Sequence, residues 1–265
     1  MELLYKFHNK FIKTFKIRKL FYLFLILLFS PILLFIVLIK PVLFIRFGNL
    51  GCERIGNFLA AELYLLNNKF EKKRSRSFDI WIVGESLCNN QLLVMLKRKF
   101  FVVNHLSLFW KILKLLSKYT DIFSQHIIIS ENDLDTKNLL DKYPAHLKLT
   151  KEEIIKGESI FNQFNIPKKA KIVCLTIRDN SYLRVNNSSK NFSYHNYRDS
   201  DARNYIPVIK YLIKRDYFVV RMGKTVSKKI NIKSKKFIDY PFHPIKSDFM
   251  DFFFAHKCHF WIGTN

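Results

Sequence analysis

Residues 171–177 read Lys-Ile-Val-Cys-Leu-Thr-Ile, and this run decides the fold class. A short, almost continuous apolar run is typical of a parallel strand that is buried on both faces. A polar loop, a helical pattern over residues 201–214 and a second apolar run at 217–221 follow. Further runs at 236–239 and 259–262 flank a helical pattern over 247–256. Strand–helix alternation of this kind predicts an α/β fold with a parallel sheet.

An earlier block of the chain repeats this alternation. Its predicted strands cover residues 42–47, 78–83, 100–103 and 126–129, and its predicted helices cover 53–66, 91–98 and 106–118. We therefore predict two Rossmann-like domains facing each other across a cleft, joined by a helix at 150–164. The predicted bounds are 1–41 for a basic N-terminus with a membrane helix, 42–168 for the N-terminal domain and 169–265 for the C-terminal domain.

Composition narrows the class of protein. With 49% hydrophobic residues the chain is not disordered, and its four scattered cysteines favour a reducing compartment over a disulfide scaffold. The net charge is +24, of which residues 1–46 contribute eight basic residues against one acid. No nucleic-acid-binding motif accompanies this charge, so we expect no nucleic acid and an anionic membrane as the partner.

Three arginines lie at or near the ends of predicted strands. Arg178 and Arg221 follow apolar runs, and Arg198 lies in the long polar loop of residues 180–200. Guanidinium groups converging on the carboxyl edge of a parallel sheet suit a diphosphate or a carboxylate. Gly223 would let the backbone approach such a ligand closely. The alternatives are a surface arginine at 221 and an Arg178–Asp179 ion pair that only holds the loop.

An ordered set of motifs runs through the C-terminal block. Its residues, in order, are Arg178-Asp179, Tyr182, Tyr194-His195, Tyr197-Arg198-Asp199, Asp201, Asn204-Tyr205, Arg221-Met222-Gly223, Asp239-Tyr240, Ser247-Asp248-Phe249-Met250-Asp251 and Gly263-Thr264-Asn265. This set resembles a glycosyltransferase family encoded in bacterial surface-polysaccharide gene clusters. The resemblance implies a GT-B-like fold with an N-terminal acceptor side, a C-terminal nucleotide-sugar side and no required metal. It also implies that a domain ending at Asn265 is incomplete, as in a fragment.

The resemblance implies that residues at the strand ends and helix starts of the C-terminal block bind the nucleotide-sugar donor. Asp239 and Tyr240 would hold the base or ribose of the nucleotide. Ser247 and Asp248 open a helix, where the alternative is capping and dipole complementation. Gly263 and Thr264 would bind phosphate through backbone N–H groups if a helix followed.

Glycosyl transfer also needs a base for the acceptor hydroxyl. The candidates are His195, Asp179 and Glu53, with Glu85 and His126 as alternatives on the acceptor side. Asp199-Ser-Asp201 has the DxD form of a metal site, but we interpret it as helix capping. His256, Cys258 and His259 lack a second ligand pair, so no zinc site is expected.

Residues 20–39 form an uncharged run long enough to cross a bilayer, with basic residues on both sides. Its length argues against a cleaved signal peptide. Pro31 predicts a kink at its middle. A full crossing would put the rest of the chain outside, away from nucleotide sugars. A re-entrant or interfacial helix with both ends in the cytoplasm is the alternative, and the sequence leaves both open.

The sequence therefore predicts one function and leaves one alternative. We expect a glycosyltransferase that moves a sugar from a nucleotide-sugar donor to a glycan or lipid-linked glycan acceptor. It would act at the cytoplasmic membrane with its globular part in the cytoplasm. Its only small-molecule requirement would be the nucleotide-sugar co-substrate. The alternative is a non-catalytic, membrane-associated protein that binds glycan or scaffolds an assembly.

Overall fold

The structure is a computed structural model of the 265-residue chain. It describes residues 2–70, 77–84, 86–128, 135–186 and 193–264, with side chains except at 2–18, 59, 183, 186 and 195. The chain divides into two compact units, Met1–Lys148 and Leu149–Asn265.

The N-terminal unit is a mixed α/β structure around a parallel sheet. Strands β1 and β2 pair in parallel over their whole length, and β3 pairs with β2. Ile127 bridges in parallel to Phe47 on the other edge of β1. The strands are β1 (Phe44–Leu50), β2 (Ser77–Val83) and β3 (Phe101–Val103); the helices are α1 (Glu2–Ile39), α2 (Ile55–Phe70), α3 (Asn90–Lys97), α4 (Ser107–Leu116), α5 (Asp121–Ser124) and α6 (Leu139–Lys142).

Helix α1 covers one face of this sheet. Its Leu25, Leu33 and Ile36 are buried in a cluster that includes Phe47 of β1 and Phe109 of α4. The helix continues through Pro31, which cannot donate a hydrogen bond to the Leu27 carbonyl. The Ser30 hydroxyl donates to that carbonyl at 2.7 Å, so the group that proline leaves without its usual partner is satisfied.

The C-terminal unit is built around a four-stranded parallel sheet with the order β6-β5-β4-β7. The prediction of an α/β chain with parallel sheets is thereby confirmed. The strands are β4 (Lys171–Thr176), β5 (Tyr217–Met222), β6 (Phe237–Asp239) and β7 (Phe260–Gly263); the helices are α7 (Lys151–Phe161), α8 (Ser181–Asn186), α9 (Ile206–Lys214) and α10 (Asp248–Lys257). Short 3-10 helices cover Asn162–Phe164, Ser193–Arg198, Ala202–Tyr205 and Tyr240–Phe242.

Helices cover both faces of the C-terminal sheet. Helix α9 buries Ile209 and Leu212 on one face, and α10 buries Phe253 and Phe254 on the other. Helix α7 belongs to this unit because Phe161 completes the core around α10. The predicted domain bounds placed that helix in residues 42–168, whereas the compact unit begins at Leu149.

Helices α7 and α10 each begin at a residue whose side chain caps the helix. The Thr150 hydroxyl accepts from the Glu153 N–H, and the Glu153 carboxylate accepts from the Thr150 N–H, which forms a capping box on α7. Ser247 caps α10 by accepting from the Met250 N–H at 3.2 Å. Capping depends only on nearby residues, so these starts are readable from the sequence.

Candidate functional site

A cavity of about 560 Å³ opens at the carboxyl ends of β4 and β5 in the C-terminal unit. Its walls are the segment after β4, the segment that leads into α9, and the loop after β5. The volume lies in the range of sites that hold small molecules and cofactors. The lining residues are Ile177, Asp179, Asn180, Asp199, Ser200, Asp201, Ala202, Arg203, Ile206, Arg221, Ser227, Lys228, Lys229, Ile230 and Asn231.

Asp179 ties two walls of the cavity together. Its Oδ2 accepts from the N–H and the hydroxyl of Ser227, at 2.8 and 2.9 Å, and its Oδ1 accepts from the Ser181 N–H at 3.0 Å. Burial opposes ionisation, but these donors outweigh it and hold the pKa of Asp179 below its usual value. A carboxylate held ionised in this way suits loop positioning better than proton abstraction.

Arg221 and Asp239 form a buried ion pair under the cavity. The side chains are 1% and 6% exposed, with 3.3 Å between Arg221 Nη1 and Asp239 Oδ1. Arg221 Nη1 also donates to the Lys228 carbonyl at 2.6 Å, and Asp239 Oδ2 accepts from the Ile230 N–H at 2.8 Å. Both predicted ligands therefore hold the loop after β5. The buried Arg221 Nε has no hydrogen-bond partner among the described residues.

Arg178 and Thr264 meet where the strand order reverses between β4 and β7. The Thr264 hydroxyl accepts from the Arg178 N–H at 2.8 Å, and the Thr264 N–H donates to the Thr176 carbonyl at 3.1 Å. The Arg178 guanidinium lies 3.5 Å from Asp199 Oδ1. Gly263 is the last residue of β7. Three predicted ligands, Arg178, Gly263 and Thr264, therefore lie at the point where the strand order reverses. Asp199 forms an ion pair with Arg178 there.

Charged side chains surround the mouth of the cavity. Asp201 caps the 3-10 helix Ala202–Tyr205 by accepting from the Arg203 N–H at 2.8 Å, which confirms the capping interpretation of this aspartate. Its ion pair with the Arg203 side chain lowers the pKa of Asp201 to about 2. Lys228 and Lys229 are exposed at the opposite wall. In the described part of the chain, no group of three or more His, Cys, Asp or Glu residues is arranged to hold a metal.

Gly223 follows β5 and has a φ of +147°, a conformation that side chains disfavour. A Cβ at this position would lie 2.9 Å from Val226 Cγ1. The glycine is therefore required by the local turn. The neighbouring Lys224 forms an ion pair with Asp248 at 3.0 Å. Asp248, which was predicted as a donor ligand, therefore holds this turn to the start of α10.

Tyr240 and Ser247 lie outside the cavity wall and bind each other. The Tyr240 hydroxyl donates to the Ser247 carbonyl at 2.9 Å and accepts from the Ser247 N–H at 3.0 Å. Tyr240 is fully buried, and burial raises its pKa. Burial also raises the pKa of the nearby Asp251 to about 6. These contacts fix the start of α10 on the core.

The candidate bases are spread over the chain. His195 lies in the 3-10 helix Ser193–Arg198, and its side chain is outside the described residues, as is the whole of Glu85. Arg198, from the same short helix, is half-buried. Glu53 is exposed between β1 and α2. His126 is fully buried with Nδ1 2.6 Å from the Ile45 carbonyl oxygen, which leaves it no access to an acceptor.

The loop after β5 forms a wall of the site that was not predicted from the sequence. Ser227, Lys228 and Lys229 all line the cavity from this loop. A signal was present in the composition, because residues 221–236 contain seven basic residues and no acid. Such a run in a chain of +24 is easily taken for ordinary surface charge.

Comparisons of the chain with models of protein families, with curated proteins and with solved structures return no match.

Proposed function

We propose that the protein is a membrane-associated glycosyltransferase whose C-terminal unit binds the nucleotide diphosphate of an activated sugar. The observation that carries this proposal is the cavity of about 560 Å³ at the carboxyl ends of β4 and β5. Ligands of open parallel sheets bind at this edge, near the point where the strand order reverses. That reversal lies between β4 and β7.

The strand order of both units supports a Rossmann-like interpretation. In the C-terminal unit, the third, second, first and fourth strands in chain order stand side by side. In the N-terminal unit, β3, β2 and β1 are followed by the bridge at Ile127, which comes fourth in the chain. This is the order of the first four strands of a Rossmann fold, in which strands 3-2-1 form one mononucleotide-binding half and strand 4 begins the other. Two such units in one chain are what a GT-B-like glycosyltransferase requires.

The charges around the cavity suit a diphosphate leaving group. Departure of a nucleoside diphosphate places negative charge on its oxygens, and cationic side chains stabilise that charge. We assign this contact to Lys228 and Lys229, which are exposed on the cavity wall. Arg221 contributes positive charge from beneath the wall. Asp179 and Asp239 hold the loop that presents the lysines.

The remaining parts of the reaction follow from this assignment. The acceptor would be a glycan or a lipid-linked glycan at the cytoplasmic face of the membrane, and its hydroxyl would lose a proton to His195 or Glu53. A helix apolar enough to cross a membrane, Lys19–Ile39, supports the location. The donor chemistry needs no metal in this scheme, because lysine and arginine replace it at the diphosphate.

One observation favours the alternative of a non-catalytic glycan-binding or scaffold protein. Arg178, Arg221 and Asp239, which the sequence predicts as ligands, have partners within the unit. In a scaffold these pairs would be purely structural, and the cavity would bind no nucleotide.

Nucleotide binding separates the two functions. We expect the full chain in detergent to bind at least one of UDP-glucose, GDP-mannose and dTDP-rhamnose in isothermal titration calorimetry. The Lys228→Ala/Lys229→Ala variant should bind at least about tenfold more weakly, since one charge-assisted hydrogen bond is worth about 1.5 kcal/mol or more. Arg221 is unsuitable for this test because its removal would disturb the buried pair.

The matched control is Lys233→Ala/Lys235→Ala, which removes two exposed lysines from the same basic segment but outside the cavity wall. Both variants lower the net charge equally, so long-range attraction of the anion is the same. If both variants weakened nucleotide-sugar binding equally, the diphosphate contact could not be assigned to Lys228 and Lys229 on the cavity wall. A folded chain that binds no nucleotide sugar from a wider panel would favour the scaffold.

A further inference from the structure

The uncharged run of residues 20–39 in α1 carries apolar residues on every side; one stripe of them is buried against the protein and another is exposed. Leu25, Phe29, Leu33 and Ile36 recur at helical spacing and pack on the sheet and α4. Leu20, Leu27, Leu34 and Leu38 form another stripe, and each is at least 60% exposed. A surface helix of a water-soluble domain carries polar residues on its outer face. The outer stripe of α1 therefore needs an apolar environment.

The contacts of α1 argue against a helix that stands across the bilayer. The Phe29 and Phe109 rings meet edge to face with centroids 5.5 Å apart, so α4 packs against the middle of the apolar run. Lys111 and Lys114 are exposed on α4. They lie within about 8 Å of Phe109 along the axis of α4, at a rise of 1.5 Å per residue.

A perpendicular α1 would carry these lysines deep into the hydrocarbon. With Phe29 at the midplane, both would lie well inside the half-thickness of about 15 Å. Each lysine near the centre costs about 2.5–3.5 kcal/mol. The sheet strands that pack on α1 would enter the membrane as well. A span of this kind requires α1 to leave its own domain.

We propose that α1 lies in the plane of an anionic bilayer, with its outer stripe in the acyl region and its inner stripe on the sheet. Interfacial helices reach about 5–10 Å into the boundary between headgroups and acyl chains. Lys10, Lys13, Lys16, Arg18 and Lys19 precede the apolar run and suit anionic headgroups. Lys111 and Lys114 then remain at the polar level of the membrane.

This inference does not depend on the proposed glycosyltransferase activity. It follows from the two stripes of one helix and from the packing of α4. A protein that binds no nucleotide sugar would dock in the same way, so the two proposals can fail separately.

Spin labels along the outer stripe test the orientation. The full chain is prepared with Cys258→Ala and one of Leu20→Cys, Leu27→Cys, Leu34→Cys or Leu38→Cys; Cys52, Cys88 and Cys174 are buried. Each labelled protein is bound to vesicles with about 30% anionic phospholipid, an amount that gives a strongly negative surface. Collision with oxygen and with a water-soluble nickel complex then reports the depth of each label.

The in-plane arrangement predicts nearly equal, shallow depths at all four positions. The four positions span about 27 Å of helix axis, so a perpendicular helix would give a depth maximum between residues 27 and 34. That maximum would overturn the proposal. Labels shielded from both reagents, as in a helix covered by a second copy or another protein, would overturn it too. Vesicles of phosphatidylcholine alone should bind the chain several-fold more weakly; equal binding would refute the anionic headgroup contact.

Discussion

The two units arrange their strands in the same order but cover their sheets differently. In the C-terminal unit, α9 buries Ile209 and Leu212 while Lys210 and Lys214 face solvent. In the N-terminal unit, α1 buries one apolar stripe and exposes another. The outer face of α9 in the C-terminal unit is therefore charged, whereas the outer face of α1 in the N-terminal unit carries leucine.

Different features of the sequence therefore specify the strand order of a unit and the environment that its surface requires. Alternation of strands and helices is enough to produce a parallel sheet in each unit. The outer face of the covering helix then decides whether that side meets water or lipid. The units also differ inside, because the C-terminal unit buries an ion pair at its strand ends, while Arg46 and Asp79 pair at about 20% exposure in the N-terminal unit.

The units should differ most in how much free energy of unfolding each loses when the arginine of its ion pair is removed. Arg221→Met leaves Asp239 charged and buried, and we expect the free energy of unfolding of the C-terminal unit to fall by about 3–5 kcal/mol. Arg46→Met leaves Asp79 within reach of water, with a smaller expected loss of about 1–3 kcal/mol. Hydrogen exchange of β5 and β1 at increasing urea measures each unit separately.

The control for the larger effect is Arg221→Met/Asp239→Asn. Asparagine keeps an acceptor for the Ile230 N–H and removes the unpaired charge. The double variant should recover a large part of the loss. Without any recovery, the ion pair is not the reason for the destabilisation.

Two helical glycines give the next largest contrast. A Cβ on Gly157 of α7 would clash with the Phe253 ring of α10, whereas a Cβ on Gly56 of α2 would meet none of the described atoms within 4 Å. We expect Gly157→Ala to cost about 1–3 kcal/mol through overpacking. Gly56→Ala should be neutral or stabilise its unit by up to about 1 kcal/mol. Urea unfolding followed by circular dichroism measures both, and a neutral Gly157→Ala would contradict the close approach of α7 to α10.

The pH dependence of stability gives a third contrast between the units. Burial raises the pKa of Asp251 from its ordinary value of 3.8 to about 6. Between these values the folded unit holds a proton that the unfolded chain has lost. The free energy of unfolding of the C-terminal unit should therefore fall as the pH rises from 3.8 to about 6, and this contribution is constant above that range.

Asp251→Asn should remove this contribution. The variant is then more stable than the parent above pH 6 by up to about 3 kcal/mol, since a tenfold change in proton affinity corresponds to about 1.4 kcal/mol. Urea unfolding at several pH values, with exchange of β5 and β1 as separate readouts, measures it. An equal change in the N-terminal unit would contradict the assignment to Asp251.

Several parts of the fold were predictable because their signals are local. The strand at Lys171–Thr176, the capping box at Thr150 and Glu153 and the cap at Ser247 depend on residues within one turn or one strand. Of the charged residues predicted at the strand ends, Asp179 and Arg221 line one cavity, whereas Arg178, Arg198 and Asp239 are not part of its wall.

The partners of these residues were not predictable. An arginine at the end of a strand has the same sequence pattern whether it faces a ligand or a buried carboxylate, and Asp239 lies 18 residues away from Arg221. Ser227 reaches the cavity wall through a contact with Asp179, which lies 48 residues away in the chain. Such contacts depend on how strands stack side by side, which no local pattern encodes.

Local sequence patterns are enough to predict the alternation of strands and helices and the starts of α7 and α10. They also identify the apolar run of residues 20–39, whose contact with water is unfavourable. Which stripe of α1 the protein covers depends on the packing of the folded chain, because the uniformly apolar run of residues 20–39 has no periodicity to distinguish its faces. The burial of Arg221 depends on packing as well, since packing determines whether a charge at a strand end meets solvent or another side chain.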